Sequence, residues 1–297
     1  MKKVLIFGGT RFFGEKTCAS LIENGWQVTL ATRGKSGQPF GEKVNHVLID
    51  RSNGDHPGWK EITSVHWNAV FDNICFTKED AELAVSKLRG KTDYYLMTST
   101  LAVYEGKKDG YIESDFKGED YVIDPLAAIT YAEGKRQAES VLERKWNSDL
   151  GILRIPIVLD DDDYTRRLHF YVEHALKGKQ VVLRNPEAKI SFIKGTDAAR
   201  VIEWMLEDKK SGVYNASSPD AVPLKELMEW IEEGTGMKLE VYYDADTEEQ
   251  SPFSLSYNTY LKTGKLQEQG VKIEPLADWM KPLIRRLTNK SGKESAV

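Results

Sequence analysis

The 297-residue sequence has little cysteine, no long apolar run and no excess of positive charge. Its two cysteines, Cys18 and Cys75, are too few for a disulfide framework or a zinc cluster, so we expect free thiols in a reducing compartment, the cytoplasm. The apolar run at residues 4–7 is too short for the core of a signal peptide. The sequence contains no run of about 18 apolar residues, so it predicts no membrane span. The 41 basic and 46 acidic residues give a net charge of −5, which provides no bulk positive field. We therefore expect neither a nucleic acid nor a membrane as partner.

Metal-ligand patterns are also missing from the sequence. The five histidines show no His-x-x-x-His spacing and no pairing with cysteine. The four consecutive aspartates at 160–163 match no ligand loop, because consecutive side chains diverge. We expect no metal site and interpret the aspartates as a solvated loop.

Short apolar runs alternate with helical patterns over the first 160 residues. Predicted helices cover 14–24 and 78–88, the second opened by Thr77 as its cap. The predicted strands are 4–7, 28–31, 44–49, 69–74, 94–97 and 152–159. This alternation predicts βαβ units, and hence an α/β fold with a doubly wound parallel (Rossmann) sheet. Beyond residue 160 the predicted helices 168–176, 194–206 and 224–232 are less regular, which indicates a smaller C-terminal α/β lobe.

A glycine-containing turn separates the first predicted strand from the first helix. Backbone N–H groups and the helix dipole at such a turn can hold a pyrophosphate, and Gly14 would let the helix pack close to the strand. A strand-to-helix turn also needs glycine for steric reasons alone, so both readings stay open. The candidate cofactor-binding residues are Gly8, Gly9, Thr10, Arg11, Phe12, Phe13 and Gly14.

The end of the second strand bears on the choice of cofactor. A carboxylate there would accept a hydrogen bond from the ribose 2′-hydroxyl of NAD, but the residues present are Thr32 and Arg33. Arg33 can pair with a 2′-phosphate, so the sequence favours NADP over NAD. The alternative is that Arg33 is a solvated loop residue.

Tyr131 and Lys135 are four residues apart and lie on one face of a predicted helix. A neighbouring ammonium favours the ionised phenol and lowers its pKa, so Tyr131 can exchange a proton with a hydroxyl or carbonyl group. The alternative is a helix with an ordinary exposed lysine.

Hydroxyls follow one another at the carboxyl end of a predicted strand, in Thr98-Ser99-Thr100. The glycine turn, this strand end and the Tyr-Lys helix, in this order, resemble the extended short-chain dehydrogenase/reductase family, which includes nucleotide-sugar epimerases and dehydratases. Further family-like stretches are Thr100-Leu101-Ala102-Val103-Tyr104, Leu153-Arg154-Ile155-Pro156, Ile190-Ser191-Phe192-Ile193 with Asp197, and Tyr214-Asn215-Ala216.

The resemblance implies roles for particular residues. Thr100 would orient the substrate oxygen, Tyr131 would be the acid/base, and Lys135 would hold the nicotinamide ribose and lower the Tyr131 pKa. Asp50 matches a position that often contacts the adenine, although a surface ion pair of Asp50 with Arg51 is an equal alternative. The implied activity is hydride transfer on a hydroxyl or keto substrate, and sugar nucleotides are among the candidate substrates. We expect a monomer or a homodimer. Epimerase, dehydratase and reductase chemistry stay open.

Two departures from the family pattern matter. Arg11 replaces the middle glycine of the turn, as in an atypical branch that includes chloroplast stem-loop RNA-binding proteins. An RNA-binding or regulatory protein on the same scaffold is therefore the alternative function. The fourth strand ends in Asn73-Ile74-Cys75-Phe76 where the family has small residues, which predicts a narrower pocket.

The less regular pattern beyond residue 160 also indicates a domain boundary there, and the resemblance implies the roles of the two parts. We expect a dinucleotide-binding domain at 1–160 and a substrate-binding lobe at 161–290. Residues 161–290 can also contribute one strand to the main sheet. Residues 291–297 are polar, and we expect a flexible tail there.

Overall fold

The computed structural model of the protein describes residues 1–35, 37–244 and 251–294. These residues form two compact units. Unit 1 contains Met1–Glu105, Glu113–Ile155 and Ala198–Ala216. Unit 2 contains Gly106–Ile112, Pro156–Asp197 and the described residues from Ser217 onward.

The elements alternate along most of the chain. The strands are β1 (Lys3–Phe7), β2 (Gln27–Thr32), β3 (Asn45–Leu48), β4 (Ala69–Asp72), β5 (Tyr94–Thr100), β6 (Asp149–Ile155), β7 (Ile157–Leu159), β8 (Gln180–Leu183), β9 (Lys189–Ile190), β10 (Phe192–Lys194), β11 (Gly212–Asn215), β12 (Val222–Pro223) and β13 (Glu240–Tyr243). The helices are α1 (Phe12–Glu23), α2 (Gly58–Thr63), α3 (Lys78–Leu88), α4 (Tyr131–Lys145), α5 (Arg167–Leu176), α6 (Gly195–Glu207), α7 (Leu224–Thr235), α8 (Gly264–Glu268) and α9 (Leu276–Glu294).

Unit 1 is built on a parallel sheet that has seven strands among the described residues, in the order β11-β6-β5-β4-β1-β2-β3. The predicted doubly wound α/β fold is therefore confirmed. The strand order reverses between β1 and β4, and ligands of open α/β sheets bind outside the carboxyl ends of the strands at such a switch point.

The central strands are apolar because the sheet is covered on both faces. Residues of β1, β4 and β5 are almost completely buried, and the aromatic rings of Trp59, Tyr95 and Trp146 pack in the same core. The predicted cap of α3 is confirmed, since the Thr77 hydroxyl accepts a hydrogen bond from the Asp80 N–H at 3.2 Å and the Asp80 carboxylate accepts one from the Thr77 N–H.

The single strand predicted at 152–159 is wrong. β6 ends at Ile155, and β7 begins at Ile157 and pairs with β10. The physical reason is Pro156, which has no N–H to donate to a ladder and interrupts the strand.

Unit 2 consists of two-stranded pairings and helices around its own core. β7 pairs with β10 and β8 with β13 in parallel, whereas β9 pairs with β12 antiparallel. Helices α5, α7 and α9 pack against one another over this core. α9 continues through Glu294, so part of the predicted tail at 291–297 is helical, and 295–297 lie outside the described residues. No helix in the described ranges is long and apolar enough to cross a bilayer.

Candidate active site

The glycine turn connects β1 to α1 by a close contact between backbone atoms. Gly8 has φ +84°, a left-handed conformation that favours glycine. A Cβ on Gly14 would lie 2.3 Å from the Gly8 carbonyl oxygen, so any side chain there would push the helix away from the strand. Gly14 therefore has the packing role that the sequence predicts for it.

The N-terminus of α1 differs from those of α3 and α4. Thr77 and Thr130 cap α3 and α4 with side-chain hydroxyls, whereas the Arg11 side chain makes no cap hydrogen bond. The first N–H groups of a helix have no partner within it, so at α1 they are left to other acceptors. Phe12 enters the helix at φ +54° with a buried ring, which leaves only its backbone for a ligand.

Asn73 lies beside the turn at the end of β4. Its Nδ2 donates to the Gly8 carbonyl oxygen at 3.3 Å. Its Oδ1 is buried and, among the described residues, has no hydrogen-bond partner. Buried acceptors without partners are uncommon in folded proteins and require an explanation. The sequence pointed to this position only as a departure from the family pattern.

The hydroxyl run at the end of β5 divides between two environments, because successive strand side chains point to opposite faces. Thr98 Oγ1 is buried and without a hydrogen-bond partner in the described part of the chain. Thr100 is partly exposed, and its Oγ1 accepts a hydrogen bond from the Ala102 N–H at 3.2 Å. Ser99 points away from both and donates to the Glu139 carboxylate.

Helix α4 begins with Tyr131, whose side chain is 57% exposed. One turn later Lys135 is only 1% exposed, and its Nζ donates to the carbonyl oxygens of Cys75 at 2.8 Å and Thr98 at 2.7 Å. Burial lowers the pKa of Lys135 to about 8, and the charges of Asp72 and Glu139 oppose the shift. The alternative of an ordinary exposed lysine is therefore wrong.

The ends of β2 and β3 carry the remaining candidates. Thr32 Oγ1 is 2.7 Å from His46 Nε2 and accepts a hydrogen bond from the Gly34 N–H. Arg33 is exposed, and the described residues 31–35 at this strand end include no carboxylate. Asp50 is exposed, and its carboxylate accepts a hydrogen bond from the Ser52 N–H at 3.2 Å.

The surface ion pair of Asp50 with Arg51, given as an alternative, is wrong. Arg51 is buried and pairs with Asp72 at 2.9 Å. Tyr95 Oη also donates to the Asp72 carboxylate, at 2.6 Å. Arg51 takes this position because a buried carboxylate at the end of β4 needs a positive partner.

A second polar cluster lies around Arg154, which the sequence marked only as part of a family-like stretch. The guanidinium is fully buried and pairs with Glu139 at 2.5 Å. It also donates to Tyr104 Oη and to the carbonyl oxygens of Glu113 and Phe116. All five N–H groups of this arginine therefore have acceptors.

No family model matches the chain. A curated relative, the chloroplast stem-loop binding protein of 41 kDa b of Arabidopsis thaliana, is 31% identical over 165 residues. The match covers 50% of this chain and only 40% of that relative.

Solved structures match nearly the whole chain. The UDP-glucose 4-epimerase of Thermotoga maritima, solved with UDP-glucose, has a TM-score of 0.75 at 16% identity and covers 99% of this chain and 100% of its own. The dTDP-glucose 4,6-dehydratase of Bacillus anthracis, in complex with NAD, has a TM-score of 0.74 at 13% identity, with 99% and 97% covered. The UDP-glucuronic acid 4-epimerase of Bacillus cereus, also in complex with NAD, has a TM-score of 0.72 at 17% identity, with 96% and 99% covered.

At these identities the structural likeness concerns the fold. The chain has the fold of the epimerase/dehydratase structures, and the predicted resemblance to the extended short-chain dehydrogenase/reductases is confirmed at this level. The candidate residues then divide clearly. Gly8 and Asn73 lie at the turn, Thr98 and Lys135 share a hydrogen bond, and Ser99 belongs to the Arg154 cluster.

Proposed function

We propose that this protein is a nicotinamide-dinucleotide-dependent oxidoreductase of the epimerase/dehydratase type. The observation that carries the proposal is the position of Lys135. Its buried ammonium lies between the carboxyl ends of β4 and β5, on the same helix as the exposed Tyr131. Burial of a lysine ammonium costs stability, and displaced pKa values cluster at functional sites.

The residues around the turn fit a dinucleotide. The contact of Gly14 with Gly8 brings the N-terminus of α1 close to the end of β1, where backbone N–H groups and the helix dipole favour an anion. Asn73 Oδ1 and Thr98 Oγ1 are buried polar atoms that, within the described residues, lack partners. A ligand rich in hydroxyl and amide groups would supply the missing hydrogen bonds.

The side chains can divide the remaining work. A lysine ammonium has three N–H donors, of which Lys135 gives two to carbonyl oxygens, so the third is available for a ribose hydroxyl. Its positive charge favours the ionised Tyr131 phenol, which exchanges a proton with the substrate oxygen. The Thr100 oxygen accepts from Ala102, which leaves its O–H to donate to the same substrate oxygen. When bound, the nicotinamide supplies hydride transfer.

Mass spectrometry of the gently purified protein, followed by titration of the stripped protein with dinucleotide, tests the proposal. We expect a co-purified or tightly rebinding dinucleotide. Gly14→Ala should abolish binding, because the new methyl group meets a backbone oxygen. The matched control is Gly264→Ala, where a Cβ meets no atom within 4 Å, and binding should not change. Failure of the unaltered protein to bind either dinucleotide would refute the proposal.

Nucleoside-diphosphate sugars are the substrate class that we propose. The support is the fold shared with a structure solved with UDP-glucose and with a dTDP-glucose 4,6-dehydratase. Incubation with a set of such sugars, followed by NMR of the products, separates epimerisation, dehydration and reduction. A set in which no sugar is converted would contradict this substrate class.

We also propose a preference for NADP(H) over NAD(H), although the cited dehydratase and epimerase were solved with NAD. The support is the exposed Arg33 at the end of β2. A carboxylate at this position would repel a 2′-phosphate, whereas a guanidinium can pair with it. Arg33→Gln should weaken NADPH binding about tenfold and leave NADH binding unchanged. Lys60→Gln, which removes an exposed charge on α2, is the control. Equal loss for both dinucleotides would contradict the preference.

RNA binding is the second candidate, because the curated relative is named as a stem-loop binding protein. The net charge of −5 opposes it. RNA affinity that falls steeply with salt, without dinucleotide binding, would favour this function over the first.

A further inference from the structure

Phe76 takes a position that the narrower-pocket prediction did not specify. Its side chain is 43% exposed, yet the centroid of its ring lies only 4.7 Å from Lys135 Nζ. The same ring is 6.3 Å from the ring of Tyr131, at an interplanar angle of 51°. One aromatic side chain therefore contacts both the buried cation and the exposed phenol of the proposed site.

The backbone of Phe76 is fixed from two directions. Its N–H donates to the Asp80 carboxylate at 2.9 Å, as part of the N-terminus of α3. Its carbonyl oxygen lies where a side chain on Gly134 would be, 2.5 Å from an added Cβ. Gly134 thus lets α4 pack directly on the Phe76 backbone, so a change in the position of the ring would have to come from its side-chain torsions.

We propose that Phe76 is an aromatic cover over Lys135 that restricts access of a dinucleotide ribose to the ammonium. The inference rests on the proposed function. The third N–H donor of Lys135 is the one available to a ribose, and the Phe76 ring lies over the same ammonium. Access then requires the ring to leave its cation–π contact, which weakens dinucleotide binding.

The test compares Phe76→Ala with the unaltered protein in two measurements. In the first, calorimetric titration with NADPH and NADH should show affinity about tenfold tighter in the variant, since no ring has to be displaced. In the second, competitive labelling of lysines with acetic anhydride, at a pH above the lysine pKa in both proteins and read by peptide mass spectrometry, should show faster labelling of Lys135. Solvent reaching the ammonium should also raise the pKa of Lys135 above about 8, which the pH dependence of the labelling measures.

Two further variants protect the test from misfolding artefacts. Phe76→Leu keeps an apolar side chain over the ammonium and should give affinities and labelling between the other two proteins. Leu126→Ala removes an apolar side chain that is 91% exposed and should change neither measurement.

The outcomes separate this inference from the proposed function. Binding by the unaltered protein with unchanged or weaker affinity in Phe76→Ala would overturn the inference alone. Unchanged labelling of Lys135 in Phe76→Ala would overturn it as well, whether or not a dinucleotide binds. Lack of binding by every protein would overturn both the inference and the proposed function.

Discussion

Two polar clusters share strand β5 and helix α4, and they differ in whether the hydrogen bonds of their buried atoms are complete. In the closed cluster, Ser99, Glu139 and Arg154 satisfy one another, and the arginine uses all of its donors. In the open cluster, formed by Asn73, Thr98, Thr100, Tyr131 and Lys135, two buried polar atoms among the described residues have no partner.

The difference in hydrogen bonding indicates that the closed cluster stabilises the fold and that the open cluster can bind a ligand. A buried charge pair with all partners in place fixes backbone segments, here those of Glu113 and Phe116, and has nothing left for a ligand. A cluster with unused donors and acceptors loses stability in the free protein and gains partners when a ligand binds. Removing a partner in the closed cluster should therefore lower stability, whereas removing an unpartnered or desolvated group of the open cluster should lower binding or turnover without that loss of stability.

Tyr131→Phe should give the largest effect on turnover. The substitution removes only the phenolic hydroxyl of an exposed side chain, so kcat on a sugar nucleotide identified as substrate should fall about 100- to 10,000-fold. Stability and dinucleotide affinity should stay unchanged. Steady-state kinetics and calorimetric titration provide the measurements, and retained turnover would remove Tyr131 from the proposed chemistry.

Arg154→Met should give the largest effect on stability. It leaves the Glu139 carboxylate buried without its partner, which costs about 3–5 kcal/mol of the free energy of unfolding. The double variant Arg154→Met with Glu139→Leu removes both charges and should recover much of the loss. Urea denaturation measures both, and a double variant as unstable as the sum of its parts would contradict the closed-cluster interpretation.

Lys135 should make stability depend on pH. Burial lowers its pKa to about 8 in the folded protein, against 10.5 ordinarily. Between these values the unfolded chain binds one more proton than the folded one, so the free energy of unfolding rises with pH. Relative to Lys135→Met, the unaltered protein should gain about 3 kcal/mol across this window. Denaturation of both proteins at several pH values tests this, and a constant difference between them would contradict it.

Thr98→Val should give the smallest effect on stability. Compared with a substitution of the adjacent Ser99, it tests whether neighbouring hydroxyls of the two clusters differ in their contribution to stability. Because Thr98 Oγ1 has no partner in the described structure, the apolar replacement should be neutral or stabilising by about 1 kcal/mol. Dinucleotide affinity should fall about fivefold if the hydroxyl binds the ligand. The comparison variant, Ser99→Ala, removes a donor to Glu139 and should destabilise by about 1–3 kcal/mol. Equal effects of the two substitutions on stability would erase the distinction.

The sequence predicted those features that depend on neighbouring residues. The parallel sheet, the cap at Thr77 and the close packing at Gly14 follow from local patterns of apolar residues, hydroxyls and glycine. The prediction of one strand at 152–159 was wrong because it followed the apolar pattern and did not take Pro156 into account. The missing N–H of Pro156 is also a local property.

Contacts between distant residues could not be predicted. Thr98, Ser99 and Thr100 read as one hydroxyl cluster, but the partners that separate them, Lys135 and Glu139, come from another element. The pairing of Arg51 with Asp72 and the Phe76 ring over Lys135 likewise depend on which strand ends the sheet brings together. Local pattern fixes an element, whereas the state of a buried charge depends on its neighbours in space.

A crystal structure of the protein with saturating NADPH tests the central claim most directly. We expect the pyrophosphate to lie against the backbone of the turn at Gly8 and Gly14. We also expect a ribose hydroxyl within hydrogen-bond distance of Lys135 Nζ. A dinucleotide bound elsewhere, or none at the carboxyl ends of β1 and β4, would contradict this claim.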